Sequence, residues 1–138
     1  VYAFKIAGYI KKIMSNEIQK NVLGEILEDC SHEPITGWYR DGCCNTDTAD
    51  FGLHTVCAKV NMKFLKFIKK TGNDLITPNP DLGFPGLKDE DSWCVCAASY
   101  AQAIEAGLAC SIYLRRTNEK TLELIPLNIL KKYAIDLY

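Results

Sequence analysis

The residues best suited to chemistry in this chain fall in five short words outside any long helix. They are Thr36-Gly37-Trp38-Tyr39-Arg40-Asp41-Gly42-Cys43-Cys44, His54-Thr55-Val56-Cys57-Ala58, Gly72-Asn73-Asp74-Leu75, Gly83-Phe84-Pro85-Gly86-Leu87-Lys88 and Trp93-Cys94-Val95-Cys96-Ala97. A loop needs only a Gly, Pro or Asn at the right place to turn. So dense a concentration of Cys, Trp, Arg, His and Asp points instead to one built site.

Three chemistries fit these residue types. A zinc site needs about four Cys or His ligands converging tetrahedrally, and Cys44, Cys57, Cys94 and Cys96, with His54, are enough in number. Spacing argues against it in part: on a regular strand His54 and Cys57 point to opposite faces, whereas Cys94 and Cys96 share one. Thiol chemistry is the second reading, with Cys44 as nucleophile in the company of Arg40, Asp41 and Asn45 and with His54 or Arg40 favouring its thiolate. The chain has no Cys-x-x-Cys pair to strengthen it. Asp41, Asn73, Asp74 and Lys88 then become candidates for holding a ligand. The third reading is structural: Trp38, Tyr39 and Trp93 pack beside buried Cys94 and Cys96, and Asp41, Asp74 and Asp91 cap turns. Packing alone leaves the clustering of Arg40, His54 and Asn73 unexplained.

The elements that must position these residues are short. His54 to Val60 alternates as a strand does. Asn61 can cap a following helix with Phe64, Leu65 and Ile68 on one face, closed by Lys69, Lys70 and Gly72. Asn73 to Asp91, with Pro78, Pro80, Pro85, Gly83 and Gly86, cannot be a regular element and reads as a long ordered loop, a class that is commonly functional. Ser92 to Ala97 reads as a strand, Tyr100 to Ala106 as a helix capped by Ser99 and ended by Gly107, and Cys110 to Arg116 as a strand. Leu122 to Ile125 is a further candidate strand, and Leu127 to Ala134 a closing helix started by Pro126. Asn21 to Leu27, interrupted by Gly24, is extended or weakly helical. The class is α+β: a single compact domain with a short mixed or antiparallel sheet, two or three short helices and a long ordered Pro/Gly loop.

Composition narrows the function. The 138 residues are enough for one hydrophobic core, and a formal charge of -1 gives none of the basic field that nucleic-acid binding uses. The longest apolar run falls short of the roughly 20 residues that cross a bilayer. Seven cysteines, two of them adjacent at Cys43-Cys44, suit free or metal-bound thiols in a reducing, intracellular compartment better than a disulfide framework. The first thirteen residues differ from the rest: Lys5, Lys11 and Lys12 without any acid, among Tyr2, Phe4, Ile6, Tyr9, Ile10 and Ile13. Residues 1–14 therefore read as a basic extension or targeting remnant, of mitochondrial or plastid type, or as a segment contacting a protein partner. Residues 15–138 form the domain.

The succession Asn21-Val22-Leu23-Gly24, Cys30-Ser31, the Thr36 to Cys44 word, Asp50-Phe51-Gly52, His54 to Ala58, Gly72 to Leu75, Thr77-Pro78, Phe84 to Lys88 and Trp93 to Ala97 resembles the domain of unknown function family 2237 over about Asn21 to Ala134. The resemblance implies a small protein of a family found in bacteria and some eukaryotes, and it implies no particular activity. The chain departs from the family where it has Tyr100-Ala101 instead of a basic residue and Trp. It departs again where it reads Thr117-Asn118-Glu119 instead of Thr-His-Glu, so no role of that His carries over.

From these observations the expectation is a pocket formed by the Trp38 to Cys44 turn, the start of the His54 strand and the Gly72 to Cys96 loop. It would serve thiol- or zinc-dependent chemistry or small-ligand binding, with Cys44, His54 and Arg40 as catalytic candidates. The rival expectation is a non-catalytic accessory subunit whose Cys and Trp residues are structural.

Overall fold

The computed structural model describes residues 18–137. The proposed basic extension and its partner contact at Val1 to Ile13 lie outside the described residues. The elements run β1 (His54–Lys59), α1 (Met62–Lys70), β2 (Ser92–Cys96), α2 (Ala97–Glu105), β3 (Ser111–Ile112) and α3 (Leu127–Leu130), with 3-10 segments at Pro80–Leu82, Leu114–Arg116, Glu119–Glu123 and Lys131–Tyr133. This is the small α+β fold the sequence suggests, with an antiparallel sheet in the order β2-β1-β3. Among the described residues no helix is long and apolar enough to cross a membrane.

The sheet has two faces with different contents. Strand alternation sends Val56 and Ala58 of β1, with Trp93 and Val95 of β2, into the main core beside Phe64, Leu65 and Ile68 of α1 and Tyr100 of α2. It sends Cys57 and Cys94, paired across the ladder, to a separate buried cluster with Cys30 and Cys44. The ladder continues from Lys59↔Ser92 through Cys57↔Cys94 to His54↔Cys96, with a register irregularity between His54 and Val56. That irregularity resembles a β-bulge, a device that re-aims side chains at a strand end.

Local chemistry explains the element ends. The Asn61 side chain accepts from Phe64 N at 2.9 Å and caps α1, while Lys69 and Lys70 sit in its last turn. Helix α2 starts at Ala97, three residues before the expected Tyr100, because β2 runs directly into it. The Ala97 amide donates to Leu53 O at 2.9 Å, so the first turn does not depend on Ser99. The strand expected over Cys110 to Arg116 is cut to Ser111–Ile112, since the amides of Leu114 and Arg115 donate to the Asp136 carboxylate at 2.6 and 3.0 Å and turn the chain into a 3-10 segment. Leu122 likewise falls in a 3-10 segment, Glu119–Glu123, capped by the Asn118 side chain. The closing helix is four residues, Leu127–Leu130, followed by the 3-10 turn Lys131–Tyr133.

The long loop after α1 is ordered by its own hydrogen bonds. Asp74 Oδ1 accepts from the amides of Ile76 and Thr77 at 2.9 and 3.0 Å, Asn79 and Phe84 exchange backbone bonds, and Leu87 N donates to Leu75 O at 2.8 Å. Gly86, at φ +78, brings the backbone so close that a Cβ there would lie 2.4 Å from Ile76 O. Only glycine fits at that crossing.

The cysteines correct the expectation of free thiols. Cys30 is bonded to Cys57 and Cys44 to Cys94, and Cys96 and Cys110 are free thiols. The adjacency of Cys43 and Cys44 tells against bridges only where both residues must be paired. In the fold only Cys44 joins a bridge, and its partner lies 50 residues away on β2.

Candidate functional site

A cleft of about 460 Å³ opens beside β2 at the His54↔Cys96 end of the ladder. Gly37, Trp38 and Arg40 border it on one side, the Asn73 to Phe84 part of the long loop on another, and His54 with Trp93 to Cys96 at its base. Both tryptophans of the chain face it.

His54 is fixed from below. Its Nδ1 lies 2.7 Å from Asp50 Oδ1, and its amide donates to Asp50 Oδ2 at 3.0 Å, which also accepts from the Thr46 hydroxyl at 2.8 Å. The Asp50 side chain is wholly buried, whereas that of His54 is 40% exposed. Burial by itself would push the Asp50 carboxyl up. The hydrogen bonds from the His54 ring, Thr46 and the His54 amide, with the charge of His54, outweigh it and hold the carboxyl below its ordinary value. An ionised Asp50 can only accept, so Nδ1 carries the proton and Nε2 is left as the basic nitrogen. Trp38 stacks on the imidazole at a centroid distance of 5.9 Å and an interplanar angle of 13°.

Cys96 is the half-buried free thiol bordering this cleft. It is the cross-strand partner of His54 at the irregular end of the ladder. It also occupies the N-cap of α2 without making a capping hydrogen bond. Backbone amides of the first helical turn favour negative charge there. Arg40 completes the polar set: its guanidinium lies over the Trp93 ring at 5.1 Å, its Nη1 donates to Gly37 O at 2.6 Å, and burial lowers its pKa. It remains a cation, since no environment of this kind deprotonates a guanidinium. Phe84 packs against Trp93 with ring centroids 5.2 Å apart.

The sequence-named residues divide accordingly. Arg40, His54, Asn73, Asp74, Cys94 and Cys96 border the cleft. Cys44 is not a free nucleophile: it lies fully buried in its bridge to Cys94, and Cys57 is equally buried in its bridge to Cys30. As bridged sulfurs Cys44, Cys57 and Cys94 are not metal ligands in this state, which corrects the zinc set as first drawn. Asp41 turns its carboxylate to Cys43 N at 3.1 Å and Asn45 Nδ2 at 2.9 Å and shapes the turn. Lys88 extends into solvent and approaches Asp91 at 3.6 Å. Asp74 uses its carboxylate on the Thr77 side chain and on the loop amides of Thr77 and Ile76, which hold its pKa down to about 2.

Two participants escaped the sequence reading. Asp50 stands four residues before His54, a spacing that could have suggested the pair. Cys30 stands in the Cys30-Ser31 word, which marks the residue but does not point to its partner. The chain's second histidine, His32, is exposed, pairs with Asp29 at 2.8 Å and lies over Gly42. Asn118, at the position where the family tends to have His, is buried and donates to Cys44 O at 3.0 Å and Gln19 Oε1 at 2.6 Å. It ties three chain segments together.

Fold and cleft together define a small α+β domain with a thiol, an Asp-held histidine and an arginine at one opening. The chain belongs to domain of unknown function family 2237, described as uncharacterized proteins conserved in bacteria, with residues 20–134 matched. No curated protein matches the chain.

Proposed function

We propose that the cleft binds a small, partly flat molecule carrying an anionic group and presents its carbonyl carbon to the Cys96 thiol. The observation that carries this reading is the pairing of a free, half-buried cysteine with a histidine whose far nitrogen is held by a buried carboxylate, both on one cleft. That is the nucleophile, base and orienting group of thiol catalysis. Trp38, Trp93 and Phe84 supply flat apolar walls, and Arg40 supplies the cation for a carboxylate or phosphate.

In the step itself, Nε2 of His54 takes the thiol proton while the sulfur forms the S–C bond and the carbonyl π pair moves onto oxygen. Return of that pair breaks the bond to the leaving group, which takes the proton from His54. Water then repeats the sequence and frees the thiol.

Mass mapping after brief iodoacetamide treatment of the native, unreduced protein tests the thiol. Cys96 should be alkylated well before Cys43 and Cys110, and His54→Asn should slow it about tenfold or more. Benzoate, as the simplest flat anion, should shift the tryptophan emission saturably and protect Cys96, and Arg40→Gln should abolish both effects. Alkylation of Cys96 no faster than that of Cys110, whatever stands at position 54, removes the proposal.

A further inference from the structure

Below the cleft, four segments far apart in sequence bring their cysteines to one place. Cys57 of β1 and Cys94 of β2 are direct cross-strand partners, and Cys30 and Cys44 reach them from the loops before the sheet. All four are buried, and Tyr113 covers the group. The two sulfurs of the Cys30–Cys57 bridge and that of Cys44, from the other bridge, lie within 4.8 Å of one another, and that of Cys94 is bonded to Cys44. Four zinc-bound thiolates at about 2.3 Å from the metal stand roughly 3.8 Å apart, so the two sulfurs of each opened bridge must part by roughly 1.8 Å to reach that figure.

We propose that Cys30, Cys44, Cys57 and Cys94 form a second state of the domain, a tetrathiolate site for a soft divalent ion such as zinc, reached when both bridges are reduced. Each bridge takes two electrons and two protons from two molecules of a small thiol reductant, which leave joined as their own disulfide. Zinc then enters as the four cysteine thiols release their protons, giving a site of the closed, structural kind. The scaffold around the sulfurs is set by contacts that do not involve them. The Cys57 amide donates to Thr117 Oγ1 at 3.1 Å and the Cys94 amide to Thr36 Oγ1 at 2.9 Å, so both strand residues stay in place when the bridges open. Soft thiolate sulfur selects zinc and its relatives over magnesium or calcium. The same four residues thus tie β1, β2 and the preceding loops together in oxidising and in reducing surroundings. Cys96, two residues beyond Cys94, is outside the set and borders the cleft.

Cobalt is the probe. The full chain is reduced with a phosphine, desalted without air and titrated with Co(II). The expected result is one ion per chain with the intense visible bands of tetrahedral cobalt and a sulfur-to-cobalt charge-transfer band. Zinc should displace the ion and raise the melting temperature of the reduced protein. Cys30→Ser and Cys57→Ser should lose the charge-transfer band, and Cys96→Ser and Cys110→Ser should keep it. Because a ligand variant can fail to fold, the unaltered sequence supplies a second readout: zinc should shield Cys30, Cys44, Cys57 and Cys94 from alkylation and leave Cys96 reactive. A pale octahedral spectrum, a band that depends on Cys96, or equal alkylation with and without zinc overturns the proposal. None of these readouts depends on the ligand or chemistry of the cleft.

Discussion

Cys94 and Cys96 stand two residues apart on one strand, yet the molecule treats them in opposite ways. Cys94 is at the centre of the ladder, buried, bridged and surrounded by three more cysteines. Cys96 is at the ladder's irregular end, half-buried, free and bordering a cleft with His54 and Arg40. The difference teaches that the exposure of a thiol here is decided by its rung and not by its neighbours in sequence. Two rungs from the middle, the same residue type passes from staple to candidate reagent.

The sharpest way to break this contrast is to remove each sulfur in turn. Cys94→Ala opens a bridge spanning 50 residues, and closure of a loop that long is worth about 4 kcal/mol by the chain-entropy account. Cys96→Ala should change stability by only about 0.5 kcal/mol, as for a partly exposed position without a special contact. Guanidinium unfolding of the two variants checks this, and equal losses would erase the distinction. Gly86→Ala acts next, on the cleft alone. Its Cβ would meet the Ile76 carbonyl at 2.4 Å and sits at positive φ, so the loop must move, at a cost of about 2 kcal/mol. The tryptophan emission should change while both bridges still form, as a count of free thiols would show.

The smallest expected effect concerns acid. Asp50 has its carboxyl held below the ordinary value, so the unfolded chain takes up this proton at higher pH than the folded one. Its contribution is complete above about pH 4 and is lost as pH falls through the folded value. Asp50→Asn should lower stability by about 1–2 kcal/mol at neutral pH and flatten the decline of melting temperature between pH 5 and 3. Parallel curves for the two proteins would show that Asp50 does not hold His54 through charge.

The parts legible in the sequence were those with a local signal. Asn61 before Phe64, Leu65 and Ile68 specifies α1 by itself, and the alternation from His54 marks β1. Pro and Gly in the Asn73 to Asp91 stretch announce an irregular but ordered loop. What could not be read was set by distant partners: Asp136 shortens β3 from the far end of the chain, and Cys30 and Cys44 find strands that come later. Cys44 attracted attention because charged residues stand beside it in sequence, whereas the fold turns those residues elsewhere. Cys96 looked like a twin of Cys94 because period two puts both on one face. Burial along that face still changes over two residues, and no sequence period records it.

The two bridges also interlock. Residue 44, the start of one, lies inside the span 30–57 closed by the other, and residue 57 lies inside the span 44–94. Every peptide bond from residue 30 to residue 94 is therefore bypassed by at least one covalent detour. The loop that walls the cleft can be severed by a protease while the two pieces remain one molecule, so long as the bridges stay oxidised. Reducing surroundings remove the detour, and the same cut then yields two separate chains. The domain's tolerance of a nick in its binding wall is in this way set by the redox state of sulfurs buried beneath the cleft.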